Sequence, residues 1–486
     1  MTQEDLMREP VTVTERGRVR GSTTPHGFAF LGIPYAKAPF GPLRFGPPVA
    51  PDSWAGDRPA IAAAPTAPQP ATGFTLIPEG TIDGGEAPDC LVVNVFTPDL
   101  GGAGLPVLFW IHGGGFTNGT PSSSWYNGDR FARDGVVVVT VGYRLGAEGF
   151  LNIPGATPNR GVLDWIAALE WVQRNIAQFG GDPSKVTIAG QSAGGAATML
   201  LTTLPQAQGL FRAAIPMSGS VFPAPSPEST LRLTERVAAQ LGIAMRVEDF
   251  VGIAPSALVE AQIAASSNPE GGIAERFAGQ LNFFPFVDGD VVPRPPMLGV
   301  AAGIGSTTPL LIGATQEETN AVLRMVPLDD GQQEEALVAL GLDESGVATY
   351  RSAGGSFGQQ LGQAVTDRMF RIPALRVAEA RFDAPAATYH YDFEWRSAAL
   401  GGVGAVHCLD IPFVFDVLDD DHVKVVAGDA PPQDLADFMH AAWVSFVSAG
   451  DPGWSPFQPD RRATMVFDET PKVIDDVLAP IRSLWP

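Results

Sequence analysis

Cysteine is almost missing from this chain: Cys90 and Cys408 are the only two in 486 residues. They build no disulfide framework, and neither stands in a spacing that frames a zinc site. Positive charge is also scarce. Lysine and arginine total 31 against 53 aspartates and glutamates, a formal charge of −22, so phosphate backbones and anionic membrane surfaces are repelled. Nucleic acid is not expected as a partner. No run approaches the roughly 20 apolar residues of a membrane span, so no membrane partner is expected either. Met1–Pro10 carries acids where a secretory leader is basic, and no apolar segment follows. The expectation is a soluble, cytoplasmic protein with reduced thiols.

What the chain has is apolar material and turn formers. It is 45% hydrophobic and 17% charged, enough to build one large core, and its length does not require two domains. Near-continuous apolar runs predict strands buried on both faces at 91–97, 107–112, 136–143 and 186–189. Mixed three- and four-residue spacing predicts a helix over 161–179, and a second follows over 193–204. Alternation of this kind argues for a mostly parallel, doubly wound α/β sheet. Short strands with an edge hairpin are expected over 11–36, followed by a turn-rich stretch at 39–51. Beyond Pro223 the predicted helices are 229–241, 255–266 and 334–342, and the sheet resumes at 309–313 and 387–393. The whole of 1–486 is read as a single domain. Within it, 59–88, rich in proline and glycine, is a surface loop, and 223–285 and 325–380 are helical insertions over the sheet's edge.

Two glycine clusters carry the chemistry. The strand Val107–Ile111 runs into His112-Gly113-Gly114-Gly115-Phe116, and the strand Lys185–Ala189 runs into Gly190-Gln191-Ser192-Ala193-Gly194-Gly195. A strand ending in G-x-S-x-G and turning into a helix lifts its serine on a strained elbow. The triple glycine can aim backbone N–H groups at the same point, each worth roughly 3 kcal/mol when an oxyanion forms there. The pattern alone is weak, since 55 glycines make about 0.3 chance matches. A second match exists at Gly354-Gly355-Ser356-Phe357-Gly358, but Ser352 and Ala353 precede it in place of a strand, so Ser356 is read as loop. Ser192 has the strand before it and a small-residue helix after it, whose dipole favours negative charge nearby.

A serine hydroxyl needs a base and an acid to orient that base, and in this architecture they follow it in the order acid, histidine. His26 and His112 precede Ser192. His390 sits within a strand pattern, His422 in an acidic surface run and His440 on a helix. His407 follows the glycine-rich segment 401–405 and is the expected base. For the acid, Asp288 and Asp290 read as turn caps, whereas Glu317 and Glu318 follow the apolar strand Leu310–Gly313, where a sheet presents functional side chains. Composition does not choose between these two.

These segments resemble the type-B carboxylesterase family of α/β-hydrolases. The likeness runs from about Gly32 to Trp454 through Gly32-Ile33-Pro34-Tyr35-Ala36, Leu43-Arg44-Phe45, Asp89-Cys90-Leu91, Asn94-Val95, His112–Phe116, Tyr143-Arg144-Leu145, Asn175-Ile176, Phe179-Gly180-Gly181-Asp182-Pro183, the serine elbow and Met217-Ser218-Gly219-Ser220. The resemblance implies an α/β-hydrolase fold and a carboxylesterase acting on small-molecule esters without metal or organic cofactor. It implies the triad Ser192, Glu318 and His407, and an oxyanion hole from the N–H groups of Gly114, Gly115 and Ala193. Ser218 is implied as support near the acid. The sequence departs from the family at three points. Gln191 replaces a common glutamate and weakens any case for a cationic substrate. Pro88 replaces a glutamate, so the ion pair of Arg44 is absent or rerouted. No cysteine precedes Cys90 to close the 59–88 loop, which is expected to be mobile and to frame the entrance. Phe116, Trp125, Phe283 and Phe284 are candidates for a pocket wall and read equally well as core. The rival activities are hydrolysis of carbamates or aryl amides by the same triad, and a catalytically silent binding or adhesion role.

Overall fold

Valine, isoleucine and leucine runs that leave no polar face must be covered on both sides, and they lie at the centre of a large sheet. The structure is a computed structural model that describes residues 9–70, 77, 82–101, 104–219, 225–266 and 282–485. Its strands are β1 (Val11–Thr14), β2 (Gly17–Arg20), β3 (Ser22–Thr24), β4 (Gly27–Pro34), β5 (Asp57–Pro59), β6 (Val92–Thr97), β7 (Leu105–Ile111), β8 (Val137–Val141), β9 (Gly181–Gln191), β10 (Ala213–Met217), β11 (Leu310–Thr315), β12 (Thr388–Phe393), β13 (Ala463–Phe467) and β14 (Lys472–Asp475). Eleven of them form one sheet in the order β14-β13-β12-β11-β10-β9-β7-β8-β6-β4-β3, and β1, β2 and β5 form a small second sheet.

The middle of the large sheet, from β13 to β8, is parallel. Its two flanks are antiparallel, β14 on one side and β6, β4 and β3 on the other. Every residue of β8, β10, β11, β12 and β13 is buried; most of these strands show no alternation, whereas β12 alternates Thr388, His390 and Asp392 with aromatic residues and buries both sets. The fold is that of an α/β-hydrolase, a large mixed sheet flanked by helices. Strands β7, β9, β10 and β11 are consecutive neighbours and end on the same edge. The glycine loop, Ser192, Ser218 and the acid pair each follow one of these ends, the crevice where open parallel sheets place their chemistry.

The helix Ala193–Thr203 has all eleven residues buried. Its small residues let it press against strand ends: a Cβ on Gly194 would lie 1.9 Å from the Ile111 carbonyl oxygen. The helix Arg160–Asn175 ends in a short 3₁₀ turn at Ile176–Phe179, which together cover the predicted 161–179. Helices at Pro227–Leu241, Pro255–Ser266 and Asp330–Ala339 stand close to their expected places. The last starts early because Asp329 and Gln332 form a reciprocal capping box. Residues 71–76, 78–81, 223–224 and 267–281, within the expected loop and helical insertions, lie outside the described residues.

Ser356 ends its loop as the N-cap of the helix Phe357–Thr366, its hydroxyl accepting the Gln359 N–H at 3.3 Å. Arg44 keeps a buried ion pair by turning to Glu148, 104 residues away, with its Nε 3.1 Å from the carboxylate and both side chains 4% exposed.

Candidate active site

Ser192 sits where β9 stops and the helix Ala193–Thr203 starts, at φ 59° and ψ −122°. A serine reaches that region only when its surroundings hold it there. Here its N–H bonds the Met217 carbonyl at 2.9 Å, and its own carbonyl accepts from Ala196 at 2.9 Å. Glycine is required on both sides, since a Cβ at Gly190 would meet the Ile111 oxygen at 2.5 Å. Ala193 opens the helix, so its N–H has no acceptor within it. Across the cleft, Gly114 adopts φ 102° and Gly115 φ 60°, and a Cβ on Gly114 would lie 2.2 Å from the Asn118 oxygen. His112 anchors this loop from behind. Its Nδ1 is 2.8 Å from the Gly113 oxygen and its ring stacks on Tyr143 at 4.5 Å. Burial lowers the His112 pKa to about 4, so the ring is neutral.

Glu318 and Glu317 separate cleanly in space. Glu318 is buried, touches His407 Nδ1 with Oε2 and receives the Thr315 N–H on Oε1 at 2.9 Å. Glu317 turns to the loop that delivers His407, where it accepts the Ala405 N–H at 3.0 Å and pairs with Arg396 at 2.7 Å. Backbone bonds join the same two segments, Glu317 N–H to the Ala405 oxygen at 3.0 Å and His407 N–H to the Glu318 oxygen at 3.3 Å. The acid and the histidine are therefore fixed as one unit.

Burial opposes a charge on His407, but the neighbouring Cys408 and Glu318 outweigh it and hold the imidazole well above the ordinary histidine range. Burial also pushes the Cys408 thiol up. Cys408, at φ 71°, donates to Gln191 Oε1 at 3.1 Å. Gln191 Nε2 lies 3.5 Å from each ring nitrogen of His407, touching the ring without a directed hydrogen bond. Beneath them Asp410 is fully buried. Desolvation, then the Glu318 charge, raises its pKa to about 7. Tyr391 donates to its Oδ2 at 3.0 Å, while Oδ1 has no partner among the described residues.

A cleft of about 530 Å³ brings Ser192, Glu318, His407, Cys408 and Gly113–Gly115 together. Its walls are mostly apolar, from Ile77, Tyr126, Phe370, Val403 and Val406. Ile77 is the described part of the 59–88 stretch that reaches it, and Gln69 ties that stretch to Gly119 through bonds of 2.9 and 3.0 Å. The four aromatic wall candidates are all core residues. Phe116 and Phe284 pack edge to face at 5.1 Å, Phe283 lies in the same cluster, and Trp125 is fully buried in a second one. Sequence reasoning missed Phe370, whose ring rests 5.2 Å from that of His407. It stands in a π-helical turn, Asp367–Arg371, that no sequence period announces. Ser218, at φ 45°, has a buried hydroxyl with no partner among the described residues.

The remaining histidines are occupied elsewhere: His26 with Asp129 at 2.6 Å, His390 with Thr464 at 3.1 Å, His422 with Asp420 at 3.3 Å and His440 with Asp134 at 2.9 Å. Among the described residues no three His, Cys, Asp or Glu side chains group as a metal site, and no helix is long and apolar enough to cross a membrane.

The profile of the carboxylesterase family matches residues 8–480. The chain is 33% identical to the para-nitrobenzyl esterase of Bacillus subtilis (strain 168) over 97% of both chains, and 33% identical to the phenmedipham hydrolase of Pseudarthrobacter oxydans over 98% of both. The crystal structure of the Geobacillus stearothermophilus carboxylesterase at pH 6.2 superposes with a TM-score of 0.85 at 35% identity, covering 98% of this chain and 100% of that one. A para-nitrobenzyl esterase structure gives 0.87 at 31% identity, covering 99% and 100%. The serine elbow and its glycine loop thus stand in a chain matched nearly end to end by esterases, and this protein belongs to the carboxylesterase family as a carboxylic ester hydrolase.

Proposed function

We propose that the protein hydrolyses small-molecule carboxylic esters through an acyl-enzyme, with Ser192 as nucleophile, His407 as base and Glu318 as the acid that orients it. His407 takes the Ser192 proton as Oγ bonds to the ester carbonyl carbon, and the carbonyl electrons move onto oxygen. The N–H groups of Gly114, Gly115 and Ala193 hold that oxyanion. The tetrahedral intermediate collapses, the C–O bond to the alcohol breaks, and His407 returns its proton to the leaving alkoxide. Water then attacks the acyl-serine by the same route and releases the acid and free Ser192. Glu318 stabilises the imidazolium in both halves.

The contact of Glu318 with His407 Nδ1, in the cleft that holds Ser192, carries this reading. It leaves Nε2 as the nitrogen available to exchange a proton with substrate and serine. It also speaks against a silent binding role, for which no such pairing is needed. Ser192→Ala is expected to abolish turnover of p-nitrophenyl butyrate. An organophosphonate is expected to add once per wild-type chain, on the peptide containing Ser192. Retained turnover in the variant, or an adduct elsewhere, sinks the assignment.

A further inference from the structure

At the mouth of the cleft the structure exposes apolar groups that acyl transfer does not use. Val322, Met325 and Leu400 line the same cavity as Ser192 and are 40%, 79% and 55% exposed. Apolar side chains gathered in water at a cavity rim mark a surface built for an apolar partner. The Leu400 segment is held in place. Leu400, Gly401 and Gly402 all adopt left-handed backbone, at φ 51°, 76° and 84°. For leucine that conformation is disfavoured and persists only under constraint.

The constraint is Arg324, which lies between Val322 and Met325 in sequence. Its guanidinium donates to the carbonyls of Leu400 at 2.9 Å, Gly401 at 3.2 Å and Gly402 at 2.7 Å. The base of the loop is closed by paired bonds between Ser397 and Gly404, at 3.2 and 3.1 Å. Arg324 thus spends three of its five N–H donors on this loop, both of those on Nη1 and one on Nη2. The two sides of the mouth are joined through it and present apolar carbon outward.

Resting on the esterase reading, we propose that Val322, Met325 and Leu400 form an apolar lip, clamped by Arg324. The lip binds the far end of esters whose apolar acyl or alcohol chain is too long for the cavity. Short esters end inside the cleft; long ones continue onto the lip. Continuity of these side chains with the cavity that holds the nucleophile argues for substrate as the occupant.

The test compares chain-length profiles. In one series p-nitrophenyl acetate, butyrate, octanoate and dodecanoate vary the acyl chain; in the other, ethyl, butyl and octyl acetates vary the alcohol. For Met325→Ser with Leu400→Ser, the ratio of long-chain to acetate (or ethyl) kcat/KM is expected to fall about tenfold in one series, through KM, corresponding to roughly two methylenes of lost burial. The series that changes identifies the chain the lip holds. Met325→Leu is expected to keep the wild-type ratio, which separates loss of an apolar contact from damage to the fold. Arg324→Gln is expected to lower the ratio as well, by releasing Leu400. Unchanged ratios in both series, with normal turnover of acetate by the wild type, overturn the lip alone. A wild type inert toward every ester overturns the esterase reading and the lip with it.

Discussion

A base must be neutral before it can accept a proton, and His407 is held protonated to a higher pH than an ordinary histidine because Cys408 and Glu318, the latter against its Nδ1, outweigh burial. Below its pKa the imidazolium cannot take the Ser192 proton, so kcat/KM is expected to rise with pH through a midpoint above the usual value of about 6.5. Glu318→Gln removes the charge: the midpoint should move to lower pH while kcat falls by about 10³–10⁴-fold. Glu317→Gln leaves that charge in place and is expected to leave the midpoint unmoved. A pH–rate profile of the three proteins checks both statements. At this scale the sequence was legible for Ser192 and His407, because strand, glycine and chain order restrict where such residues can stand. It was silent between Glu317 and Glu318. Adjacent carboxylates differ only in which way each side chain turns, and that is decided by Ala405 and Arg396 on a segment some eighty residues downstream.

Among the elements, the turn from β9 into the helix Ala193–Thr203 leaves least room for change. Gly194→Ala drives a Cβ into the Ile111 carbonyl and to 3.0 Å from the His112 carbonyl carbon. Backbone cannot step aside as a side chain end can, so a loss of about 1–3 kcal/mol or more is expected, with activity falling as Ser192 shifts. Gly252→Ala is the control. Gly252 caps the helix Val247–Val251 at φ −82° with nothing within 4 Å of a new Cβ, and the substitution should be neutral or gain about 0.4–1 kcal/mol. Thermal unfolding of the pair decides. The central strands were legible because burial on both faces leaves a continuous apolar run. Strands β13 and β14 were not singled out: both are short, and nothing local shows that β13 pairs with β12 and β14 with β13. Ser356 has the same motif as Ser192 yet caps a helix, because what precedes it is another helix, Glu344–Ser352, rather than a strand.

Over the whole molecule, cohesion depends on polar ties that span long sequence distances. Arg44 reaches Glu148 and the carbonyls of Val251 and Ile253, binding the N-terminal turn, the segment after β8 and the later helices into one body. Glu148→Ala leaves a buried guanidinium without its counter-charge and is expected to lower unfolding stability by about 3–5 kcal/mol, read by urea denaturation. Arg44→Met combined with Glu148→Leu should recover much of that loss, since burying neither charge removes the penalty. The family's pattern placed the partner of Arg44 beside Cys90, and the sequence alone left the pair either absent or rerouted. The thiols themselves have a practical consequence. Cys90 is 2% and Cys408 7% exposed, both are free, and burial suppresses the acidity of each. The surface therefore offers a bulky maleimide dye no native handle, so one engineered cysteine on the lip would be the sole position to take a fluorophore, turning the enzyme into an optical reporter of each substrate's arrival.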